Sequence, residues 1–140
     1  MIKKVAIVED DRGLREQLAQ ILGTALDVRF VGACASGEEA LERIHVLQPD
    51  VVLMDIKLPG MSGIECVALL KKALPSLQVI MLTVYEDSER IFRALKAGAD
   101  GYLVKSSPPG VSLEAIDDVR RVGSPMSSHI ARKVVRQFHL

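Results

Sequence analysis

The 140-residue sequence has little cysteine, no excess of either charge and no long hydrophobic run. Its 18 basic and 18 acidic residues cancel, which excludes a general electrostatic attraction to nucleic acid or to an anionic membrane. Cys34 and Cys66 fit neither a disulfide framework nor a metal-ligand spacing, so we expect reduced core thiols and a cytoplasmic protein. No apolar stretch approaches the ~20 residues that cross a bilayer, and the N-terminus turns acidic too soon for a signal peptide.

What the sequence does contain is an alternation of two patterns. Its hydrophobic content of 49% is enough for one domain with a core. Five apolar, strand-like runs alternate with stretches in which apolar residues recur at helical spacing. The runs cover residues 4–8, 28–34, 51–54, 78–82 and 101–104. Such alternation with short connections predicts an α/β fold, a doubly wound three-layer sandwich in which right-handed crossovers join parallel strands.

Capping residues support two of the predicted helices. Ser36 followed by Glu39 three residues later forms the pattern of a capping box at the start of the second helix. Gly98 follows the fourth helical stretch and is predicted to be its left-handed cap.

Polar residues follow four of the five predicted strands. They are Glu9, Asp10 and Asp11 after the first, Asp55 after the third, Thr83 after the fourth and Lys105 after the fifth. Because ligands of doubly wound sheets bind beyond the carboxyl ends of the strands, we expect these side chains to converge on one site. Alternatives stay open for single members: Asp10, Asp11 or Thr83 could cap a helix, and Lys105 could be a solvated loop lysine.

Asp55 is the hardest of these residues to explain structurally. It directly follows the stretch VVLM of residues 51–54, whose unbroken apolar character predicts a strand buried on both faces. A carboxylate at the end of such a strand is unusual. The loop that follows already has Pro59, Gly60 and Gly63 to make its turn. We therefore expect Asp55 to be a site residue.

The expected chemistry follows from charge. Crowded carboxylates raise one another's pKa values unless a cation intervenes, and an all-oxygen site of this kind suits Mg²⁺. A carboxylate beside a metal can act as a nucleophile toward a phosphoryl donor and form an acyl phosphate. Mg²⁺, the Lys105 ammonium and the Thr83 hydroxyl would then neutralise the phosphoryl oxygens.

Four motifs together resemble the receiver domain of two-component response regulators over about residues 3 to 122. They are the acidic pair after the first strand, VVLMDIKLPGMSG around the third, MLT ending the fourth and GYLVK at the fifth. The resemblance implies a flavodoxin-like (βα)5 fold with strand order 2-1-3-4-5. It also implies phosphorelay signal transduction, in which Asp55 takes a phosphoryl group from a sensor histidine kinase and the domain switches an output. Such a domain is a phosphoacceptor that assists its own phosphorylation and dephosphorylation, and not an enzyme.

The resemblance also implies a set of magnesium ligands. Asp10 and Asp55 would bind Mg²⁺ directly, with the backbone carbonyl of Lys57 as the third protein ligand. Glu9 matches the first acidic position and would reach the metal through water. Asp11 falls outside the matched pair, so we expect it to cap the first helix.

Three further residues match the switch elements of the family. Thr83 would be the hydroxyl that moves onto the phosphoryl group, Tyr102 the aromatic whose ring then turns inward, and Lys105 the lysine that forms a salt bridge. Two positions depart from the pattern: Val84 is bulkier than the usual small residue, and Ser106 stands where many receivers have proline. Neither departure removes a group that the chemistry needs.

The C-terminal stretch resembles the linker of the NarL/LuxR-type subfamily. We therefore predict a receiver at residues 1–123 and, at 124–140, a linker helix toward a helix-turn-helix domain absent from this chain. DNA binding and transcription regulation would occur only through that domain. Dimerisation, through the first and fifth helices or the fourth-helix face, stays open.

Two rival functions come from other classes. A pseudo-receiver would act as a protein-binding module without phosphorylation, but Glu9, Asp10, Thr83 and Lys105 argue against it. A haloacid-dehalogenase-like phosphatase needs a second acid two residues after its nucleophile, and Lys57 occupies that position. A flavin site is disfavoured because the loops lack a phosphate cradle rich in Gly, Ser and Thr.

Overall fold

The computed structural model describes residues 1–108 and 110–139, which form five strands and six helices. The strands are β1 (Lys3–Val8), β2 (Val28–Cys34), β3 (Val51–Met54), β4 (Gln78–Thr83) and β5 (Gly101–Val104). The helices are α1 (Arg12–Leu22), α2 (Gly37–Leu47), α3 (Gly63–Ala73), α4 (Ser88–Ala97), α5 (Val111–Arg120) and α6 (Ser128–Gln137). None of these helices is long and apolar enough to cross a membrane.

The strands form one parallel sheet with the order β2-β1-β3-β4-β5. This confirms the predicted doubly wound fold and its strand order. The strand order reverses at β1, because the chain moves from β1 to one side and then returns past it to the other. The carboxyl ends of β1 and β3 therefore flank the crevice in which such folds bind ligands.

Both faces of the sheet are covered, which explains the unbroken apolar run of β3. Val52 and Met54 belong to the core cluster beneath α2, α3 and α4. Val51 and Leu53 belong to the cluster beneath α1 and α5. Successive side chains of a strand point to opposite faces, so a central strand between two helical layers is apolar at every position.

The predicted helix caps are present, with one difference. The Ser36 hydroxyl accepts a hydrogen bond from the Glu39 backbone N–H at 3.1 Å, but the Glu39 carboxylate accepts from the N–H of Ala35 rather than from that of Ser36. Asp11 caps α1 as expected by accepting from the N–H of Leu14 at 3.2 Å. Gly98 ends α4 with φ 115°, a left-handed conformation that favours glycine.

The edge strand β2 contains an irregularity. Val5 of β1 pairs with Phe30, but the next residue, Ala6, pairs with Gly32. Val31 is therefore an extra residue in β2, which makes a β-bulge at this edge of the sheet.

The segment after α5 folds back onto the domain. Met126 forms an isolated parallel bridge with Tyr102 of β5, and α6 packs against α4 with Ile130 fully buried. Leu140, the last residue of the predicted linker at 124–140, lies outside the described residues. That this segment leads to a DNA-binding domain stays a prediction.

Candidate functional site

Three carboxyl groups meet where β1 and β3 end. Glu9 and Asp55 are 2% and 4% exposed, whereas Asp10 is exposed, and carboxylate oxygens of all three lie within 4.8 Å of one another. The hydrogen bonds of the sheet continue one residue past the strands, because the Asp55 N–H donates to Val8 O at 3.0 Å and the Glu9 N–H to Cys34 O at 2.9 Å. The sheet itself therefore fixes the backbones of Glu9 and Asp55 side by side.

Lys105, from the end of β5, reaches across β4 into this group of carboxylates. Its Nζ donates to Asp55 Oδ2 at 2.8 Å and lies 2.7 Å from Glu9 Oε1. Partial burial lowers the pKa of Lys105, but the hydrogen bonds to Asp55 and Glu9 outweigh that effect and the pKa is raised above its ordinary value. The side chain is thus an ammonium at neutral pH.

The site has more negative than positive groups. Burial raises the pKa of Glu9 above its ordinary value, even though hydrogen bonds from Lys105 and from the Asp11 N–H act in the opposite direction. Glu9, Asp10 and Asp55 together exceed the charge of the single Lys105 by two when all are ionised. The arrangement therefore fits a divalent cation, and a donor set made only of oxygens suits Mg²⁺.

Asp55 is held on both sides of its carboxylate and along its backbone. Its Oδ1 accepts a hydrogen bond from the Ile56 N–H at 2.7 Å, opposite the oxygen bound by Lys105. The first residue of α3, Gly63, packs so closely that a Cβ there would lie 1.8 Å from Asp55 O. The interpretation of Gly63 as a turn residue was incomplete: Gly60, at φ 75°, lies in the turn, whereas Gly63 lets α3 approach Asp55.

Thr83 and Tyr102 are connected through the backbone of Tyr85. Thr83 is fully buried, and its Oγ1 accepts a hydrogen bond from the Tyr85 N–H at 3.4 Å. The hydroxyl of Tyr102 donates to Tyr85 O at 2.8 Å, and burial raises the pKa of Tyr102, so its proton stays in place. The Thr83 carbonyl accepts from the Lys105 N–H at 2.9 Å, which joins this group to the acidic site.

The sequence analysis missed two contributors to the site. Arg15 donates from Nη1 to the carbonyls of Glu9 and Asp10, at 2.8 and 2.9 Å, and so holds the backbone of the acidic pair. The sequence did contain one signal for this role: Arg15 lies one turn into the helix that follows the acidic residues, where its side chain can reach back to them. Tyr85 contributes through its main chain, for which the sequence gives no signal.

The remaining predicted site residues lie at the rim. The Lys57 side chain is exposed, and the ligand role of its carbonyl stays a prediction. Val84, the residue after Thr83, is 61% exposed.

Comparison with known proteins places this site in a family context. Residues 5–117 match the model of the response regulator receiver domain. The response regulator protein VraR of Staphylococcus aureus is 34% identical over 134 residues, which are 96% of this chain and 64% of VraR. The chain thus spans less than two thirds of that relative's length.

Solved structures agree with this match. A two-component response regulator of the LuxR family from Aurantimonas sp. SI85-9A1 superposes with a TM-score of 0.94 at 26% identity, and the match covers 100% of both chains. The signal receiver domain of NarL from Mycobacterium tuberculosis gives a TM-score of 0.81 at 28% identity, over 86% of this chain and 97% of that one.

Proposed function

The chain belongs to the response regulator receiver domain family, and we propose that it accepts a phosphoryl group on Asp55 from a phosphohistidine of a sensor histidine kinase. The observation that supports this most directly is the position of Lys105, whose ammonium binds Asp55 and Glu9 at once. A buried carboxylate held by a cation, next to two further carboxyl groups, is poised to receive a highly charged group.

Asp55 is the nucleophile in this proposal. One of its carboxylate oxygens forms a bond to phosphorus while the bond between phosphorus and the kinase imidazole breaks. The electron pair of that bond leaves with the imidazole nitrogen, which takes a proton from solvent. The contacts with Lys105 and the Ile56 N–H orient the carboxylate beforehand, and positioning is most of what phosphoryl transfer requires of a protein.

The surrounding residues stabilise the transferred group. The Lys105 ammonium and the Thr83 hydroxyl donate hydrogen bonds to phosphoryl oxygens. Asp10 and Asp55 would hold Mg²⁺ directly together with the Lys57 carbonyl, and Glu9 would hold it through water. The chemistry that this ion supplies when bound is neutralisation of the phosphoryl charge.

Phosphorylation would also act as a switch. It adds negative charge at Asp55, toward which the Thr83 hydroxyl is drawn. Since Tyr85 joins Thr83 to Tyr102, a shift of Thr83 changes the surroundings of Tyr102 on β5. Water reaching the acyl phosphate would reset the domain, which makes the chain a phosphoacceptor that assists its own phosphorylation and dephosphorylation, and not an enzyme with a separate substrate.

We propose transcription as the output and the cytoplasm as the location. The likeness to a LuxR-family response regulator and to VraR, which is longer than this chain, supports this proposal. A DNA-binding domain outside these residues would then carry the output, and the kinase would be the upstream partner.

The test is direct phosphorylation. The protein is incubated with Mg²⁺ and phosphoramidate or acetyl phosphate, and its intact mass is measured. We expect the mass of one labile phosphoryl group, which Asp55→Asn abolishes and Glu16→Gln, an exposed carboxylate on α1, leaves unchanged. Absence of the label on the unmodified protein would favour a pseudo-receiver, and steady turnover of unrelated phosphoesters would favour a phosphatase.

A further inference from the structure

Residues 124–138, here called the tail segment, close the outer edge of β5. The Tyr102 N–H donates to Pro125 O at 2.8 Å, and the Ser127 N–H donates back to Tyr102 O at 3.1 Å. The Ser127 hydroxyl accepts from the N–H of Val104 at 3.1 Å. Both sides of the β5 backbone are thus hydrogen bonded, one to β4 and one to the tail segment.

Gly101 makes this close approach possible. A Cβ at Gly101 would lie 2.7 Å from Pro125 O and 2.8 Å from Pro125 Cγ. The contact is with backbone and a rigid ring, neither of which can move aside cheaply. Any larger residue at this position would displace the start of the tail segment from β5.

Further along, α6 binds the loop that follows Thr83. The Nζ of Lys133 donates to Glu86 O, and Nε2 of His129 lies 2.6 Å from Glu86 Oε1. Ile130, between them, is fully buried in the same core cluster as Tyr102. The tail segment therefore holds Glu86 by both its backbone and its side chain.

Glu86 is the residue next to Tyr85, whose N–H binds the Thr83 hydroxyl and whose carbonyl binds Tyr102. Fixing Glu86 and Tyr102 at the same time removes conformational freedom from the intervening backbone. The Thr83 hydroxyl consequently starts from one defined position when it moves toward an arriving phosphoryl group. Orientation that is supplied in advance lowers the barrier of a group transfer.

We propose that the tail segment is a positioning element for phosphoryl transfer: docked on β5 and on Glu86, it orders the loop of residues 83–86 and so accelerates phosphorylation of Asp55. This inference rests on the proposed phosphoacceptor function. The docked tail segment also stabilises the phosphorylated state, which needs the same ordered loop. Because coupling between two equilibria is reciprocal, phosphorylation of Asp55 in turn tightens the docking of the tail segment.

The first test uses two glycine substitutions. Gly101→Ala displaces the tail segment and leaves every side chain of the site intact. Gly110→Ala is the matched control, since a Cβ at Gly110 meets no described atom within 4 Å. With phosphoramidate and Mg²⁺, we expect Gly101→Ala to gain phosphate more slowly than Gly110→Ala by about fivefold or more, because misplacement of a reacting group by a distant mutation can cost up to about 100-fold in rate.

A second pair of variants covers the case in which Gly101→Ala does not fold. His129→Ala combined with Lys133→Ala removes both contacts with Glu86 on a partly exposed face. Arg132→Ala combined with Arg136→Ala removes two exposed cations of the same helix and serves as the control. Circular dichroism verifies folding, and we expect only the first double variant to slow phosphorylation.

Hydrogen exchange supplies a readout that a merely structural role would not change. Addition of phosphoramidate to the unmodified protein should slow amide exchange in residues 124–138, and Asp55→Asn should show no such effect. Equal phosphorylation rates within both variant pairs, or unchanged or faster exchange on phosphorylation, would overturn the inference and leave the phosphoacceptor function standing. Failure of the unmodified protein to take phosphate would overturn both.

Discussion

The ammonium of Lys105 lies 2.8 Å from Oδ2 of Asp55, although fifty residues of sequence separate the two. The contact joins the ends of β5 and β3 across β4 and exists only because the sheet places these strands in the order β3-β4-β5. Within the described residues, Lys105 is the one cation that forms an ion pair with any of the three carboxyl groups of the site, and it does so with Glu9 and Asp55.

Lys105→Met tests how much this cation contributes. The substitution keeps the length of the side chain but removes the charge and its hydrogen bonds. We expect the phosphorylation rate with phosphoramidate to fall about 100-fold, which is typical for the loss of one preorganised donor. Lys96→Met, at an exposed position on α4, should leave the rate unchanged. A normal rate in Lys105→Met would show that the lysine serves only to neutralise the unphosphorylated site.

Thr83→Val removes the hydroxyl and keeps the shape of this buried residue. A hydrogen bond to a charged group contributes about 1.5–3 kcal/mol, so we expect phosphorylation to slow about tenfold or more. Loss of the acceptor for the Tyr85 N–H should also lower the free energy of unfolding by about 1 kcal/mol in urea titrations. Thr83→Ser retains the hydroxyl and should stay close to the unmodified protein in rate. Equal slowing in both variants would assign the effect to packing.

Gly63→Ala tests the close approach of α3 to the nucleophile. Since the new Cβ would overlap Asp55 O, we expect a loss of about 3 kcal/mol or more in the free energy of unfolding. Gly110→Ala, whose new Cβ would meet no described atom within 4 Å, should lie within about 0.5 kcal/mol of the unmodified protein. Thermal and urea unfolding measure both. A mild effect at Gly63 would mean that α3 can shift away from β3 without cost.

Val122→Gly is expected to stabilise the protein. Val122 has φ 65° and is 98% exposed, so its β-branched side chain is strained and makes little contact. Glycine relieves the strain of the left-handed conformation, which stabilises the folded state, but it also gives the unfolded chain more freedom, which offsets part of that gain. The net effect should raise the free energy of unfolding by about 0.5–1 kcal/mol. The same substitution at Val135, an exposed helical position in α6, should destabilise by about 0.5 kcal/mol. If both variants raised or both lowered the free energy of unfolding, the explanation by backbone conformation would be contradicted.

The thiol of Cys66 should be inert in the folded protein. Burial raises its pKa to about 12, so it is protonated at pH 8. In a Cys34→Ala background, which leaves Cys66 as the only thiol, we expect no reaction with iodoacetamide at pH 8 until urea unfolds the chain. The pKa of the Cys66 thiol is higher in the folded protein than in the unfolded chain. Burial of the neutral thiol therefore contributes fully to the free energy of unfolding at neutral pH, and this contribution is lost as pH rises above the ordinary thiol pKa of about 8.5. Fast labelling of the folded protein would indicate local opening around α3.

The fold was predictable because local patterns and global topology agree. The unbroken apolar run of β3 indicated a strand covered on both faces, and the predicted strands match the observed ones to within one residue at each end. The resemblance to receiver domains, which rests on the order and spacing of four motifs, then implied the strand order that the structure shows. The cap at Asp11 and the left-handed Gly98 were also predictable, because capping depends on neighbours in sequence.

The parts that escaped prediction depend on contacts distant in sequence or on the main chain. Gly63 follows Pro59 and Gly60 within a few residues, so the composition of this segment indicated a turn, whereas the role of Gly63 comes from the packing of α3 against Asp55. The Tyr85 backbone would bond in the same way with many other side chains at that position. Glu39 accepts a hydrogen bond from the main-chain N–H of Ala35 instead of that of Ser36.

The bulge in β2 affects how copies of this domain behave at high concentration. An edge strand exposes N–H and C=O groups to which a neighbouring molecule can add its own strand, and that is a route to fibrous aggregates. At β2 the extra Val31 interrupts the repeat of those groups, and the exposed charge of Arg29 opposes stacking. The opposite edge is closed by residues 125–127. We therefore expect concentrated solutions of the folded domain to resist strand-to-strand polymerisation.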